Sequence, residues 1–158
     1  MKCCILASLI ALLAISHAVR SVPVRASVET QNLASPQRSR FAPVHIYIDS
    51  GNKPLAAYQF ELKATVGRIK IVGVEGGQHA AFKDAPYYDP AALANDHIII
   101  AAFDTGSDLP TGRTRIATVH LQVIGDSEPQ YKLILMASAD SEGRDIPAEL
   151  SLEAGEAK

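Results

Sequence analysis

The sequence contains no tryptophan, and its only cysteines are Cys3 and Cys4. Aromatic residues make up 6% of the 158 residues, so the chain has few rings for stacking on a sugar. Beyond Cys4 the chain can form neither a disulfide nor a cysteine-ligated zinc site. The stability of any fold there must therefore come from a hydrophobic core alone.

Basic residues are outnumbered in the part of the chain that is expected to fold. From residue 41 onward there are 10 Lys and Arg against 16 Asp and Glu, a net charge of −6 with histidine neutral. Binding to nucleic acid needs a basic surface that neutralises phosphates. We therefore expect no nucleic-acid partner.

The one long apolar run lies at the start of the chain, over residues 3–15. Lys2 precedes it, and small residues at Ser16 and Ala18 occupy the positions that a signal peptidase reads. The run is short for a bilayer span, although a retained anchor is the competing interpretation. Both cysteines precede the run, where a lipidated cysteine would follow it. We predict a cleaved signal peptide over residues 1–18, a secreted or periplasmic location, and no membrane span afterwards.

Residues 19–40 are polar and show no hydrophobic periodicity. Such a segment buries too little apolar surface to offset the entropy of ordering it. We therefore predict a flexible leader over residues 19–40, followed by one domain over residues 41–158. That length lies within the usual size of a single domain and suffices for one core.

Alternation of apolar and polar residues from residue 41 onward predicts strands. Phe60 stands at the centre of the clearest alternation and is expected to point inward. The β-branched run in 97–103 favours a strand covered on both faces. A bulge is expected within 113–124, where the alternation slips, and residues 90–95 predict about one helical turn. The predicted strands are 44–48, 56–64, 68–74, 97–103, 113–124, 131–138 and 145–152.

Short polar turns and the lack of crossover helices are typical of an all-β antiparallel sandwich. The succession of strand and turn patterns over residues 41–152 resembles the cohesin domain and the related carbohydrate-binding sandwiches. The segments that carry the resemblance are VHIYIDSG, AYQFELKAT, RIKIVGVEGG, HIIIAAF, LPTGRTRIATVHLQV and YKLILMASAD.

The resemblance implies a jelly-roll sandwich of seven to nine strands that recognises a partner and has no chemistry of its own. Cohesins bind a dockerin through one sheet face, and the strands matching that face here are 68–74, 97–103 and 114–120. We expect an exported protein as the partner, held by a partly apolar face ringed by positive groups that suits an acidic or hydroxyl-rich segment. The predicted partner-binding residues are Lys70, Arg113, Arg115 and His120.

A second hypothesis places polysaccharide on Tyr87 and Tyr88, which stand between Pro86 and Pro90. Exposed rings provide a large contact area at low entropic cost. The alternative for the same residues is that both rings cap one end of the core. A third hypothesis is a structural subunit of an envelope complex.

Patterns for catalysis or metal binding are weak. The histidines show no HxH or HxxxH spacing, and Ser107 lacks the second glycine of a nucleophile elbow. Asp140 and Glu142 faintly resemble a calcium loop, but Ser151 stands where that loop needs a glutamate, so a hairpin turn explains them. We therefore predict a non-enzyme without metal or cofactor.

Overall fold

The computed structural model describes residues 38–156, all of which belong to one compact unit, Ala34–Lys158. The predicted signal peptide, residues 1–18, lies outside the described residues, as does the predicted leader up to residue 37. The first strand already begins at Ser39, five residues before the predicted start, because the alternation of exposed and covered positions extends back to Arg40.

Eight strands and two short 3-10 helices form the described part of the chain. The helices are Ala80–Phe82 and Pro90–Ala92, so the predicted helical turn shortens to three residues. The strands are β1 Ser39–Asp49, β2 Ala57–Val66, β3 Arg68–Gly76, β4 Tyr87–Tyr88, β5 His97–Phe103, β6 Arg113–Ile124, β7 Gln130–Ala139 and β8 Glu149–Ala154.

The strands pair into two four-stranded antiparallel sheets. The first sheet has the order β3-β6-β1-β8, and the second has the order β4-β5-β2-β7. The inner faces of both sheets contribute to one hydrophobic core, which is the arrangement of a β-sandwich. The expected all-β antiparallel class is confirmed. Within the described residues, no helix is long and apolar enough to cross a membrane.

Phe60 lies fully buried in β2, as the alternation predicts. Tyr58 and Leu62 are buried on the same side, whereas Gln59 and Glu61 face outward and are partly exposed. The largest side chains that share this core are Ile46, Ile48, Leu55, Leu62, Ile71, Ile98, Ile100, Ile116 and Leu121.

The predicted irregularity in β6 is a bulge at Ile116. Ile46 of β1 pairs with Ala117 and the next residue, Tyr47, pairs with Arg115, so Ile116 has no opposite partner. Ile116 and Ala117 are both fully buried although they are consecutive. A bulge permits this because two residues of one strand oppose one residue of its neighbour.

The last strand begins later than the sequence predicts. β8 starts at Glu149 rather than Asp145, and Asp145 forms only an isolated bridge with Ala139. Pro147 explains the delay, because proline has no N–H to donate to a ladder. Ile146 lies outside any strand and nevertheless packs into the core.

Candidate functional site

The strands expected to form one binding face are divided between the two sheets. β3 and β6 are neighbours in the first sheet, but β5 lies in the second, between β4 and β2. The prediction that residues 97–103 share a face with the other two segments is therefore wrong. A period-two pattern assigns each residue to a side of its own strand, and it does not specify which strands are neighbours.

The four predicted partner-binding residues all lie on the first sheet. Lys70 is exposed between two buried isoleucines of β3, whereas Arg113, Arg115 and His120 project from the outer side of β6. Arg115 and His120 line a common cavity of about 450 Å³, and Lys70 and Arg113 do not line it. The structure thus brings two of the four residues together.

Acidic side chains meet two of these positive groups. Nη2 of Arg113 lies 2.6 Å from Oε1 of Glu153, and its guanidinium carbon lies 3.7 Å from the centre of the Tyr47 ring. Nε2 of His120 lies 3.0 Å from Oε1 of Glu75. The expected positive ring is therefore interrupted, because carboxylates of this same face neutralise part of it. Exposed ion pairs of this kind contribute about 0–1 kcal/mol each.

The outer face of the second sheet is the more apolar of the two outer faces. Its exposed large side chains are Tyr87 (68%), Phe103 (63%), Met136 (50%), Ile99 (39%) and Ile134 (37%). They make up five of the eight large apolar side chains that are exposed in the described residues. We call this set the apolar face.

Strand register brings the members of the apolar face together from β4, β5 and β7, with polar side chains of β2 between them. Glu61 of β2 pairs with Ile99 on one side and with Ile134 on the other. One row further along, Gln59 pairs with Ala101 and Ala137, and Ala101 also pairs with Tyr87 of the edge strand. Side chains opposite each other in such rows lie about 5 Å apart, so the face spans all four strands.

Sequence reasoning missed the apolar face because it treated the run in β5 as covered on both sides. Ile98 and Ile100 are buried, but Ile99 points outward and is exposed. Ile134 and Met136 in β7 were a second indication of an exposed apolar surface. They alternate with half-buried Leu133 and Leu135, so both sides of this strand carry apolar residues. Apolar residues on both sides of an edge strand are the pattern that could have indicated this surface.

The two adjacent tyrosines lie on opposite sides of the short edge strand β4. Tyr87 is exposed, and its ring stacks on Phe103 with centroids 6.0 Å apart and planes 10° from parallel. Tyr88 is half-buried and packs against the core. Successive residues of a strand point to opposite faces, so Tyr87 and Tyr88 do not form one platform. The exposed ring pair is Tyr87 with Phe103.

Arg144 binds the carboxylates of the turn that faintly resembled a calcium loop. Nε of Arg144 lies 2.8 Å from Oδ2 of Asp140, and its Nη1 lies 2.8 Å from Oε2 of Glu142. Burial acts to raise the pKa of Asp140, but hydrogen bonds from Arg144 and from the Glu142 backbone outweigh it and lower that pKa. Among the described residues, no three His, Cys, Asp or Glu side chains converge as a metal site.

No family model, no curated protein and no solved structure matches this chain. Its function therefore has to be argued from the surfaces described above.

Proposed function

We propose that this chain is a non-catalytic recognition module that binds another exported protein through its apolar face. The observation that carries the proposal is the set of five large exposed apolar side chains on one side of the second sheet, which lie on both sides of Gln59 and Glu61 of β2. Single exposed apolar residues are ordinary, but contiguous apolar patches on small proteins mark interaction sites.

The composition of the face matches that of protein interfaces. Tyr87, Phe103 and Met136 belong to residue types that are enriched where proteins bind each other. A polar border runs along one end, where Lys63 pairs in register with His97 and with Lys132. An apolar centre with a polar border allows desolvation in the middle and orientation at the edge.

The resemblance to cohesins supports binding through a sheet face and a jelly-roll connection of the strands. We favour a different face from the one that the resemblance implied, because five of the eight large apolar side chains exposed in the described residues lie on the second sheet. Ion pairs occur on both outer faces, with His97 and Glu61 paired on the second sheet. The signal peptide predicted over residues 1–18 supports export of this chain. An exported chain would meet its partner outside the cytoplasm.

A capture experiment tests the proposal. The purified domain is immobilised and exposed to an extracytoplasmic extract of the native host, and the retained proteins are identified by mass spectrometry. The test variant is Ile134→Glu, which introduces a charge into the apolar face on the edge strand β7. The matched control is Val72→Glu, because Val72 is 45% exposed on the opposite sheet.

We expect Ile134→Glu to reduce capture of a specific partner at least tenfold, because a charge that is desolvated within an interface is costly. Val72→Glu should retain it, and both variants should melt like the wild type. Equal capture by both variants would contradict the proposal, as would equal loss.

Polysaccharide binding is the second candidate, and the parallel ring pair favours it. Tyr87 and Phe103 present adjacent exposed rings on one side of the sheet. If Tyr87→Ala with Phe103→Ala removes retention on a polysaccharide column while Ile134→Glu leaves it unchanged, the carbohydrate function replaces the protein-binding one.

A further inference from the structure

A cavity of about 450 Å³ lies on the outer face of the first sheet, across β3, β6 and β1 and away from the apolar face. Its volume is within the range of small-molecule sites. We propose that this cavity binds a small monocarboxylate carried on an apolar group, with Arg115 as the anion-binding residue. The proposal is independent of protein binding by the second sheet.

Arg115 is a cation without a partner among the described residues. Its side chain is half-buried in the cavity wall, and its Nε is buried without a hydrogen-bond acceptor. Leaving a buried donor unpaired is unfavourable, and charged donors cost more than neutral ones. Arg113, two residues earlier on the same face, instead binds Glu153 and stacks on Tyr47. The neighbouring arginine is therefore satisfied, whereas Arg115 remains available for an anion.

The backbone at Arg115 is held on both sides. The N–H of Gln78 donates to the Arg115 carbonyl oxygen at 3.0 Å. A side chain at Gly77 would overlap that same carbonyl, so only glycine permits this approach. The bulge at Ile116 follows directly in β6. The guanidinium thus projects from a fixed segment of chain, as a preorganised binding group requires.

His120 lines the same cavity and already has an acidic neighbour. Its Nε2 lies 3.0 Å from Oε1 of Glu75, which lines the cavity as well. The buried Nε of Arg115 has no hydrogen bond and no carboxylate paired with it in the described part of the chain. Arg115 is therefore the group of this lining that a ligand oxygen would satisfy.

The chemistry of the walls selects the ligand. A guanidinium binds a carboxylate through two parallel N–H···O bonds. Phe41, Val72 and Leu121 also line the cavity, and the first two are 57% and 45% exposed, so they offer an apolar group a surface to cover. Glu75 and Glu156 contribute negative charge to the lining, which disfavours ligands with several charges. A monoanion with an apolar tail fits this combination better than phosphate does.

Titration of the isotope-labelled protein with hexanoate, followed by ¹H–¹⁵N NMR, tests the proposal. Hexanamide has the same shape without the charge, and inorganic phosphate has the charge without the tail. We expect hexanoate to shift the resonances of Arg115, His120 and Val72, and to bind at least tenfold more tightly than hexanamide or phosphate. Equal binding of hexanoate and hexanamide, or no shift at the cavity with hexanoate, would overturn the proposal.

The variant Arg115→Gln assigns the binding group, and Arg113→Gln is its matched control. Arg115→Gln should weaken hexanoate binding at least tenfold, whereas Arg113→Gln should leave it within about twofold, because Arg113 does not line the cavity. If Arg115→Gln does not fold, Arg115→Lys serves as the test variant. It keeps the positive charge but cannot make the bidentate contact with a carboxylate, so it should also weaken hexanoate binding. Unchanged hexanoate binding in a folded Arg115 variant would refute the assignment.

Discussion

The hydroxyl of Tyr58 donates a hydrogen bond to the carbonyl oxygen of Ile116 across the core, with 3.0 Å between the two oxygens. Tyr58 belongs to the second sheet and Ile116 to the first, so this buried bond joins the two layers. Ile116 is the bulged residue of β6 and lacks a register partner in β1. Burial raises the pKa of Tyr58, so this side chain remains a neutral donor at physiological pH.

Tyr58→Phe should destabilise the domain by about 1–3 kcal/mol, because it leaves the Ile116 carbonyl buried without its donor. Chemical denaturation measures the change in the free energy of unfolding. Tyr87→Phe is the matched control, since Tyr87 is 68% exposed, and it should change stability by no more than about 0.5 kcal/mol. Equal effects of the two substitutions would show that the bond between the sheets contributes nothing to stability.

Phe60→Ala should cost about 3–5 kcal/mol, because it opens a cavity at the centre of a fully buried cluster. Phe60 is completely buried, and the centroids of the Phe60 and Tyr58 rings lie 6.0 Å apart. Gln59→Ala changes the adjacent, outward-facing position and should have a much smaller effect. Denaturant melts of both variants check the register of β2, and a comparable loss in the two would contradict it.

Asp140→Asn should lower the melting temperature at neutral pH, and the difference from the wild type should shrink in acid. The folded-state pKa of Asp140 is lowered, so its stabilising contribution is present above the unfolded value of about 3.9. That contribution is lost as the pH falls through the lowered pKa, where the wild-type carboxylate is also protonated. Thermal melts at pH 7 and below about pH 3 measure the difference.

A suitable control is Asp84→Asn, because Asp84 is exposed and its carboxylate has no hydrogen bond or ion pair in the described part of the chain. The melting temperature of the Asp84→Asn variant should equal that of the wild type at both pH values. A difference between Asp140→Asn and wild type that stays constant with pH would exclude the charged contacts with Arg144 as the cause.

Processing should leave a mature protein that begins near Val19. The apolar run over residues 3–15 is followed by small residues at the positions that signal peptidase reads. Intact-mass spectrometry of protein from the native host should therefore show neither Cys3 nor Cys4. Ala18→Arg should retain both cysteines, because a large charged residue blocks cleavage. A wild-type mass that includes the cysteines, with or without lipid, would contradict the prediction.

The strands followed from the sequence wherever one strand face is buried. β5 and β6 have the predicted bounds, and the inward position of Phe60 is confirmed, because alternation directly reports the side of a strand that meets the core. The short strand at Tyr87–Tyr88 was not predicted. Two residues are too few to show a period, and only the neighbouring β5 gives them a partner.

The candidate sites depended much more on tertiary structure. The sequence indicated that Arg115 and His120 would lie near each other, but they stand five positions apart in β6, and the bulge at Ile116 is what places both on its outer side. The apolar face arises only when β5 and β7 pair with opposite sides of β2, which places Ile99 and Ile134 in one row. Such pairings join residues far apart in the chain, and local patterns carry no information about them.

The sequence by itself determined that the domain is all-β, acidic and dependent on a core without disulfides, because composition and period-two alternation are local properties. Tertiary structure alone decided which strands share a sheet, and hence which side chains share a surface. β5 joins the second sheet rather than the first, and this pairing moves the proposed protein-binding surface to the opposite side of the sandwich from Arg115. The physical reason is that strand neighbours are selected by the packing of the whole core, in which both sheets must bury their inner faces at once.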